Sequence, residues 1–258
     1  MGGNSGISGN HTAEKERFRA ACGEIIVGVR EENSGIGTLS EKTLHAVLKR
    51  YFELDGGICE IKFGRYVADV VLGERGIFEI QTRAFNVLRK KLEAFLKIAD
   101  VTVVYPIPYL KWLCWVDDAT GETSPKRKSP KTGSVYDVFP ELYKIKMLLD
   151  HPKLHLCLVL LEVTEYRFLN GWSEDKKKGS SRCERIPDDL LGEVYIQNAD
   201  DYRKLIPEGL PAQFTAKDYA KAIKRNHRLA GTALNVLCHI GAVRHIGKKR
   251  NLYLYEVV

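Results

Sequence analysis

The first part of the chain alternates between helical and strand-like spacing of its apolar residues. Helical spacing runs from about Thr12 to Val29 and again in S-E-K-T-L-H-A-V-L-K-R-Y-F, with a Gly- and Ser-containing break between the two segments. Three strand-sized runs come next, I-C-E-I-K-F, V-A-D-V-V-L and I-F-E-I-Q-T, joined by short Gly-bearing links. Links this short predict an antiparallel meander.

Another amphipathic helix and a buried strand follow these runs. The helix has an apolar face at four positions, Phe85, Leu88, Leu92 and Phe95. The run V-T-V-V-Y-P then predicts a buried strand that stops at Pro106, because proline lacks the N–H that a strand ladder uses. The predicted order is therefore helix, three strands, helix, strand.

The middle of the chain predicts further strands around a basic loop. K-W-L-C-W-V-D predicts another strand, which leads into S-P-K-R-K-S-P-K-T-G. We expect a helix near Asp137 to Asp150 and a strand around Leu154 to Phe168. Residues 171–185 are polar and lysine-rich, which predicts a loop or linker, and the domain boundary is placed between there and about residue 200.

The last segment predicts two helices and a hairpin. One helix begins at a good N-cap residue, Thr215, and the next, R-L-A-G-T-A-L-N-V-L-C-H-I-G, closes on Gly241. V-R-H-I and L-Y-L-Y-E-V alternate as strands do and are joined by G-K-K-R-N. This order of elements resembles a winged-helix domain, which lays its second helix in the major groove and its wing against phosphates or the minor groove.

Composition predicts a folded protein of a reducing, cytoplasmic compartment. Apolar residues make up 44% of the chain and charged residues 28%, and no apolar run approaches the length that spans a bilayer. The first residues lack the basic and apolar stretches of a secretory signal. The six cysteines lie far apart without a C-x-x-C pair, which suits buried thiols better than disulfides or structural zinc.

The net charge of +7 is concentrated in the last 46 residues. Gln213 to Val258 holds nine lysines and arginines and two acids, whereas the preceding 212 residues hold 31 charges of each sign. A localised basic surface is typical of proteins that bind a phosphate backbone, and a merely solvated face is the alternative.

A candidate catalytic site lies on the second and third strand-like runs. Asp69 lies on the second, and Glu79 and Gln81 share one face of the third because side chains alternate along a strand. If the two runs pair, Asp69 reaches that same polar face. Converging carboxylates suit Mg²⁺ or Mn²⁺, which can orient a water molecule, lower its pKa and neutralise charge on a phosphodiester.

At these residues the sequence resembles the nuclease superfamily named for its PD-(D/E)xK motif. The match is Asp69, then Glu79-Ile80-Gln81 ten residues later, and it covers about residues 38 to 106. The resemblance implies an α/β, restriction-endonuclease-like core with an α-β-β-β-α-β mixed sheet. It also implies Mg²⁺-dependent cleavage of DNA in which Asp69, Glu79 and Gln81 are catalytic.

The resemblance extends to residues around the motif. It implies Glu41 as a third metal ligand from the first helix of the core, and Arg83 or Lys90 as a phosphate contact. Gln81 departs from the superfamily pattern, because a lysine usually stands there and brings a positive charge. Glutamine offers hydrogen bonds only, although some active members of the superfamily carry it.

The candidate residues also have structural explanations. Asp69, Glu79 and Gln81 fit the solvated positions of a half-exposed sheet, and Glu41 fits a capping box with Thr38 as N-cap. His45 is expected to be a partly buried helix residue and not a ligand. For the four basic residues of the middle loop, backbone contact and simple solvation stay open: Lys126, Arg127, Lys128 and Lys131.

The sequence therefore predicts three regions and one leading function. Residues 1–37 form a tail and helix, residues 38–185 the restriction-endonuclease-like domain, and residues 200–258 the small α+β winged-helix domain. The predicted partner is double-stranded or branched DNA, with a homodimer left open and no membrane. The candidate DNA contacts lie on the second helix of the tail domain and on its wing: Arg228, Thr232, Asn235, Lys248, Lys249 and Arg250.

Two other functions stay open at this point. A non-enzymatic scaffold built on the same core would bind DNA or, through the winged helix, a protein partner. Action on RNA is the third.

Overall fold

The computed structural model describes residues 11–32, 42–117, 119–168 and 181–258. Its first two helices are those predicted from helical spacing, α1 (His11–Glu32) and α2 (Lys42–Glu53). Each buries an apolar face, and the rings of Phe18 and Tyr51 join the two helices edge to face with centroids 5.7 Å apart. Glu41 and Thr38 lie outside the described residues.

Three short strands follow where they were predicted. They are β1 (Ile58–Phe63), β2 (Tyr66–Val71) and β3 (Ile77–Ile80). β1 and β2 are antiparallel, with Phe63 opposite Tyr66 at the turn. β3 ends earlier than the predicted run, and all four of its residues are buried.

A helical crossover joins β3 to a strand parallel to it. The helix α3 (Phe85–Phe95) buries the predicted apolar face, and β4 (Val101–Val116) then pairs with β3 from Val101 to Val104. A helix of this length between parallel strands is the usual crossover connection.

The prediction that the strand stops at Pro106 is wrong. β4 continues through Pro106 and Pro108 to Val116 and includes K-W-L-C-W-V, which was predicted as a separate strand. The ladder between β3 and β4 reaches only Val104, whose carbonyl accepts from the backbone N–H of Gln81 at 2.9 Å. Proline beyond that point removes no hydrogen bond from this ladder, and so the strand tolerates it.

The middle of the chain differs from the prediction in its helix. The two-residue strand β5 (Arg127–Lys128) pairs with β4 inside the basic loop. The predicted helix near 137–150 is only α4 (Phe139–Lys144), flanked by 3₁₀ turns at Val135–Val138 and Lys146–Leu148. The α-helix ends because Ile145 leaves helical geometry at φ −115° and ψ 18°.

Two long strands follow, and the second was missed. β6 (Leu154–Phe168) matches the prediction, whereas β7 (Ser181–Ile196) begins inside the stretch predicted as a loop or linker. Charged residues are tolerated in β7 because side chains such as Glu184 and Asp188 have partners on other elements. Thr43 of α2 donates to Glu184 at 2.6 Å, and Thr164 of β6 donates to Asp188 at 2.6 Å.

The C-terminal elements follow the predicted order, with one short strand added before them. They are β8 (Phe214–Thr215), α5 (Ala216–Ala222), α6 (His227–His239), β9 (Val243–Lys249) and β10 (Leu252–Val257). The three strands form an antiparallel sheet in the order β8-β10-β9. Thr215 caps α5 in a capping box with Asp218, and Gly241 ends α6 with φ at 76°.

Among the described residues the larger sheet has seven strands in the order β1-β2-β3-β4-β6-β7, with β5 beside β4. Parallel and antiparallel pairs both occur, so the predicted α/β class is confirmed. None of the described helices is long and apolar enough to cross a membrane.

The described residues cluster into two compact units. The first comprises those of Met1–Arg75, Pro106–Ser134 and Val159–Glu193, and the second those of Gly76–Tyr105, Val135–Leu158 and Val194–Val258. The long strands β4, β6 and β7 contribute residues to both units.

Candidate functional site

Asp69 lies on β2 between two fully buried residues, Ala68 and Val70. Its side chain is 20% exposed, and Oδ2 lies 3.4 Å from Nε2 of His45 on α2. One turn further along α2, Lys49 contacts Glu60 of β1 at 2.6 Å. In the first unit, therefore, α2 presents a basic side chain to the predicted catalytic aspartate.

Glu79 lies on β3 and is 1% exposed, so the alternative that it is a solvated surface residue is wrong. Its Oε2 lies 2.5 Å from Nζ of Lys91 on α3. Lys91 sits beside the buried face of this helix, and its ammonium is 5.6 Å from the ring centre of Phe95. A buried carboxylate is stable only when it is paired or hydrogen-bonded, and Lys91 supplies that pairing.

Gln81 follows the last residue of β3 and bonds within its own loop. Its side-chain Nε2 donates to the backbone carbonyl of Arg83. Ala84 then adopts the left-handed conformation with φ at 58°, and α3 starts at Phe85, whose N–H donates to Glu141 at 2.8 Å. The side-chain amide of Gln81 is thus engaged next to the site and not with Glu79.

The predicted phosphate contacts near the motif are on the surface. Arg83 is exposed in the loop after β3, and Lys90 is exposed on α3 beside Lys91. Arg89 donates to the backbone carbonyl of Lys144 at 2.5 Å, which ties α3 to the end of α4. Arg83 and Lys90 are therefore placed where a ligand can reach them.

The structure assigns partners that the sequence pattern did not reveal. Lys91 was not singled out, and His45 was expected to be no more than a partly buried helix residue. The position of Lys91 carried a signal, because it lies on the boundary between the apolar positions Leu88 and Leu92 and the exposed Lys90. That boundary is where a long basic side chain reaches a neighbouring strand.

Donor chemistry of the two acids fits a hard divalent cation. Asp69 and Glu79 offer carboxylate oxygens, the ligand type that Mg²⁺ and Mn²⁺ prefer. Among the side chains that the structure describes, no three of His, Cys, Asp and Glu are gathered as metal ligands. The third predicted ligand, Glu41, lies outside that part of the chain.

A second buried carboxylate lies in the first unit. Glu165 of β6 is 1% exposed and contacts Arg167 at 2.5 Å, Arg185 at 2.9 Å and Lys111 at 3.6 Å. Burial alone would raise the pKa of Glu165. Hydrogen bonds from the two arginines and the charges of Arg185 and Lys111 outweigh it and lower the pKa to about 2. The carboxylate therefore stays charged, and it holds three cations of different strands together.

The predicted contact residues of α6 have different surroundings. Arg228 is exposed, the hydroxyl of Thr232 donates to the carbonyl of Arg228 at 3.1 Å, and Asn235 accepts from Lys146 Nζ at 3.0 Å. Arg225, just before the helix, forms a two-pronged pair with Asp137 at 2.7 and 2.9 Å. Arg225 and Asn235 thus connect α6 and the residues before it to the 3₁₀ turns on either side of α4.

Most of the basic residues of the C-terminal segment lie on its surface. Arg225 and the exposed Arg244 form ion pairs, the latter with Glu256. The others are exposed as well: Lys217, Lys221, Lys224, Arg228, Lys248, Lys249 and Arg250. Arg250 forms the tip of the β9–β10 hairpin in the left-handed conformation, with φ at 56°.

Comparison with known proteins gives a family and a bacterial relative. A relative from Treponema pallidum (strain Nichols), described as an uncharacterized protein, is 33% identical over 170 residues, which is 65% of this chain and 64% of the relative. The chain thus matches less than two thirds of that protein's length. No solved structure matches. The family described as Domain of unknown function (DUF8091) matches residues 42–197, more than half of the chain. This protein therefore belongs to that family.

Proposed function

We propose that this protein binds DNA and hydrolyses its phosphodiester bonds with the help of a divalent metal ion. One observation carries the proposal: the buried carboxylate of Glu79 on β3 lies 2.5 Å from the ammonium of Lys91. An acid and an ammonium side by side are the two charges that the motif of the resembled nucleases provides. Gln81 lacks that positive charge, and Lys91 supplies it from the following helix.

Lys91 would act on the phosphate through its charge. A phosphodiester gains negative charge as it is attacked, and an ammonium fixed nearby stabilises that charge in a site with little water. The contact with Glu79 holds the ammonium in place, so little rearrangement is needed when substrate arrives. Lys90 and Arg83, both exposed near the same helix, would hold the neighbouring backbone.

Asp69 in the first unit and Glu79 in the second are each proposed as a metal ligand. A bound Mg²⁺ or Mn²⁺ ion would supply charge at the scissile phosphate and lower the pKa of a water molecule. His45, 3.4 Å from Asp69, would then orient that carboxylate. The order of elements from α2 to β4, with an antiparallel β1–β2 pair and a parallel β3–β4 pair, supports a restriction-endonuclease-like core.

The C-terminal elements would deliver the protein to DNA. The order β8, α5, α6 and the β9–β10 hairpin supports a winged-helix domain, and eight exposed basic residues lie on these elements and the turns between them. In such a domain α6 would face the major groove and the hairpin would reach a phosphate backbone or the minor groove.

A non-enzymatic scaffold is the second candidate, and the side chain of Gln81 favours it. Its amide donates to the carbonyl of Arg83 instead of pointing toward a reacting group. In this alternative the Glu79–Lys91 pair only stabilises the sheet, and the C-terminal elements bind DNA or a protein partner. RNA is a substrate that the same chemistry would allow.

The proposal is tested by incubating the protein with supercoiled, linear and branched DNA, each with Mg²⁺, Mn²⁺ or EDTA. We expect cleavage with metal only. Asp69→Asn and Glu79→Gln should each abolish cleavage and leave DNA affinity nearly unchanged, because chemistry depends on the carboxylates far more than binding does. Lys62→Gln, an exposed change on β1, is the matched control and should cleave normally.

Gln81→Lys separates the enzyme from the scaffold. In an enzyme it adds a second ammonium near the attacked phosphate and should keep or increase the rate. If the wild type and Gln81→Lys are both inactive on every form of DNA with both metals, the proposed enzymatic activity is wrong and the scaffold function is retained.

A further inference from the structure

A chain of ring contacts, two stacked and two edge to face, runs through the C-terminal elements from the core to the hairpin. Tyr219 of α5 and Phe214 of β8 are fully buried, with centroids 6.3 Å apart, and Phe214 stacks on Tyr255 of β10 at 6.1 Å. His245 of β9 continues the chain, 5.8 Å from Tyr255 and 4.8 Å from Tyr253. The last ring, Tyr253, is 51% exposed.

The pairing of β9 with β10 explains why these rings share one face. Tyr253 lies opposite Lys248, and Tyr255 lies opposite His245 after a bulge in the register. Residues directly opposite each other in a ladder project to the same side, and closely spaced rings on one face hold each other in position. Tyr253 is therefore an exposed aromatic ring whose position is fixed by the ring contacts behind it.

The charges around Tyr253 are positive. The ammonium of Lys248 lies 4.7 Å from the ring centre, and Lys249 and Arg250 are exposed at the tip beside it. The acid of this hairpin, Glu256, is paired with Arg244. An exposed ring among cations is suited to an aromatic ligand that carries negative charge.

We infer that Tyr253 is a stacking platform for an unpaired nucleobase, so that the hairpin recognises single-stranded DNA or the junction between single and double strand. Any of the four bases can stack on an aromatic face, and neighbouring lysines bind the phosphates. Bases of an intact duplex are already stacked on each other and cannot use the ring. This inference rests on the proposed DNA binding and narrows its target to DNA with unpaired bases.

The test compares the affinity of the full-length protein for three labelled oligonucleotides by fluorescence anisotropy. They are a single strand, a blunt duplex and the same duplex with a single-stranded overhang. Tyr253→Leu should weaken binding to the overhang and to the single strand about tenfold, the range for one stacked base, and change blunt-duplex binding less than about twofold. Tyr253→Phe keeps the ring and should bind like the wild type. Tyr109→Leu, which removes a 39% exposed tyrosine of β4, is the matched control.

A base analogue next to the junction gives a second readout. 2-Aminopurine at the first unpaired position should be quenched on binding to wild type and to Tyr253→Phe, but not to Tyr253→Leu. If Tyr253→Leu changes neither affinity nor quenching while wild type binds DNA, Tyr253 is not a stacking platform, and the proposal of DNA binding is retained. If it weakens duplex and overhang equally, the ring is a general backbone contact and the inference is wrong. If wild type binds none of the three, both proposals fall.

Discussion

Glu79 and Glu165 are buried carboxylates that lie beside basic side chains. Glu79 and Glu165 are each 1% exposed, one beside Lys91 and the other among three basic side chains. Such pairs stabilise little relative to apolar packing, but losing one partner is costly because a charge remains buried. Both carboxylates and their partners are therefore sensitive points of stability.

The Glu79–Lys91 pair predicts a specific pattern of stability. Lys91→Met removes the cation beside the carboxylate and should lower the free energy of unfolding by about 3 kcal/mol. The double variant with Glu79→Gln should be less destabilised than the sum of the single variants, because the buried charge is gone. Urea denaturation of the four proteins measures this. Lys90→Met, on the exposed side of α3, is the control and should cost less than about 0.5 kcal/mol.

The ion pairs of Glu165 should make the stability of the protein depend on pH in the acidic range. The pKa of Glu165 falls from 4.5 to about 2 on folding, so its contribution is fully present above pH 4.5 and is lost as the pH falls toward 2. At neutral pH the contribution is about 3 kcal/mol. Urea unfolding should show wild type losing its advantage over Glu165→Gln through this pH range. Glu93→Gln, an exposed acid on α3, should follow wild type, and equal pH profiles for wild type and Glu165→Gln would contradict the account.

The candidate site was only partly predictable from single residues. Asp69 and Glu79 could be placed on strands because alternation and turn spacing are local properties of the sequence. Lys91 could not be paired with Glu79 in the same way, because its contact depends on how α3 packs on β3. The sequence also offered no sign that Gln81 would bond to its own loop.

The start of β3 depends on a glycine at a position where two backbone segments pack closely together. Gly76 precedes β3 with φ at 80°, and a Cβ there would lie 2.3 Å from the carbonyl oxygen of Asp100. That carbonyl accepts from the N–H of Ile77 at 2.8 Å, so the start of β3 is anchored to the residue before β4. Placement of Glu79 on β3 therefore depends on Gly76.

Gly76→Ala tests this anchor. It should destabilise the protein by more than about 2 kcal/mol, because backbone strain and a clash with the Asp100 carbonyl add together. Gly73→Ala is the matched control, since Gly73 has φ at 46° but a methyl group there would meet nothing within 4 Å. It should cost about 1 kcal/mol from strain alone. Thermal denaturation with equal losses for both variants would show that the close approach is unimportant.

Element prediction from sequence worked for local patterns and failed where tertiary pairing decides. The predicted runs for β1, β2 and α3 match because period and turn signals are strong there. Pro106 was read as a strand end, yet β4 continues past it, and its ladder with β3 already ends at Val104. β7 was missed because its charged residues look like a loop until their partners on other elements are known, as with Thr43 and Glu184.

At the scale of the whole molecule, positive charge is concentrated in one segment. Residues from Gln213 to Val258 carry the net +7, and eight of their nine basic residues are exposed. Charge of this kind acts over several ångströms and speeds the encounter with a phosphate backbone, with an effect that salt screens. We therefore propose that this segment supplies the DNA affinity and that the residues around Glu79 supply cleavage.

The dependence of DNA affinity on salt concentration tests whether the C-terminal segment supplies the DNA contacts. DNA affinity should fall by roughly 0.9 log units per log unit of salt for each phosphate contacted. Replacing Lys248, Lys249 and Arg250 by alanine should make that slope shallower. Alanine at Lys126, Arg127 and Lys128 removes the same amount of charge from the middle loop and should leave the slope of affinity against salt unaltered. A shallower slope from the loop variant alone would assign DNA contact to the loop.

Moving the ammonium from position 91 to position 81 tests the proposal that Glu79 and Lys91 form the catalytic pair. The measurement is the initial rate of Mg²⁺-dependent plasmid nicking by wild type, Lys91→Gln and the double variant Lys91→Gln with Gln81→Lys, each checked for folding by thermal denaturation. We expect Lys91→Gln to lose at least about a hundredfold in rate, as when one charge-stabilising donor is removed, and the double variant to recover part of that rate. A folded Lys91→Gln that nicks DNA as fast as wild type would contradict the proposal.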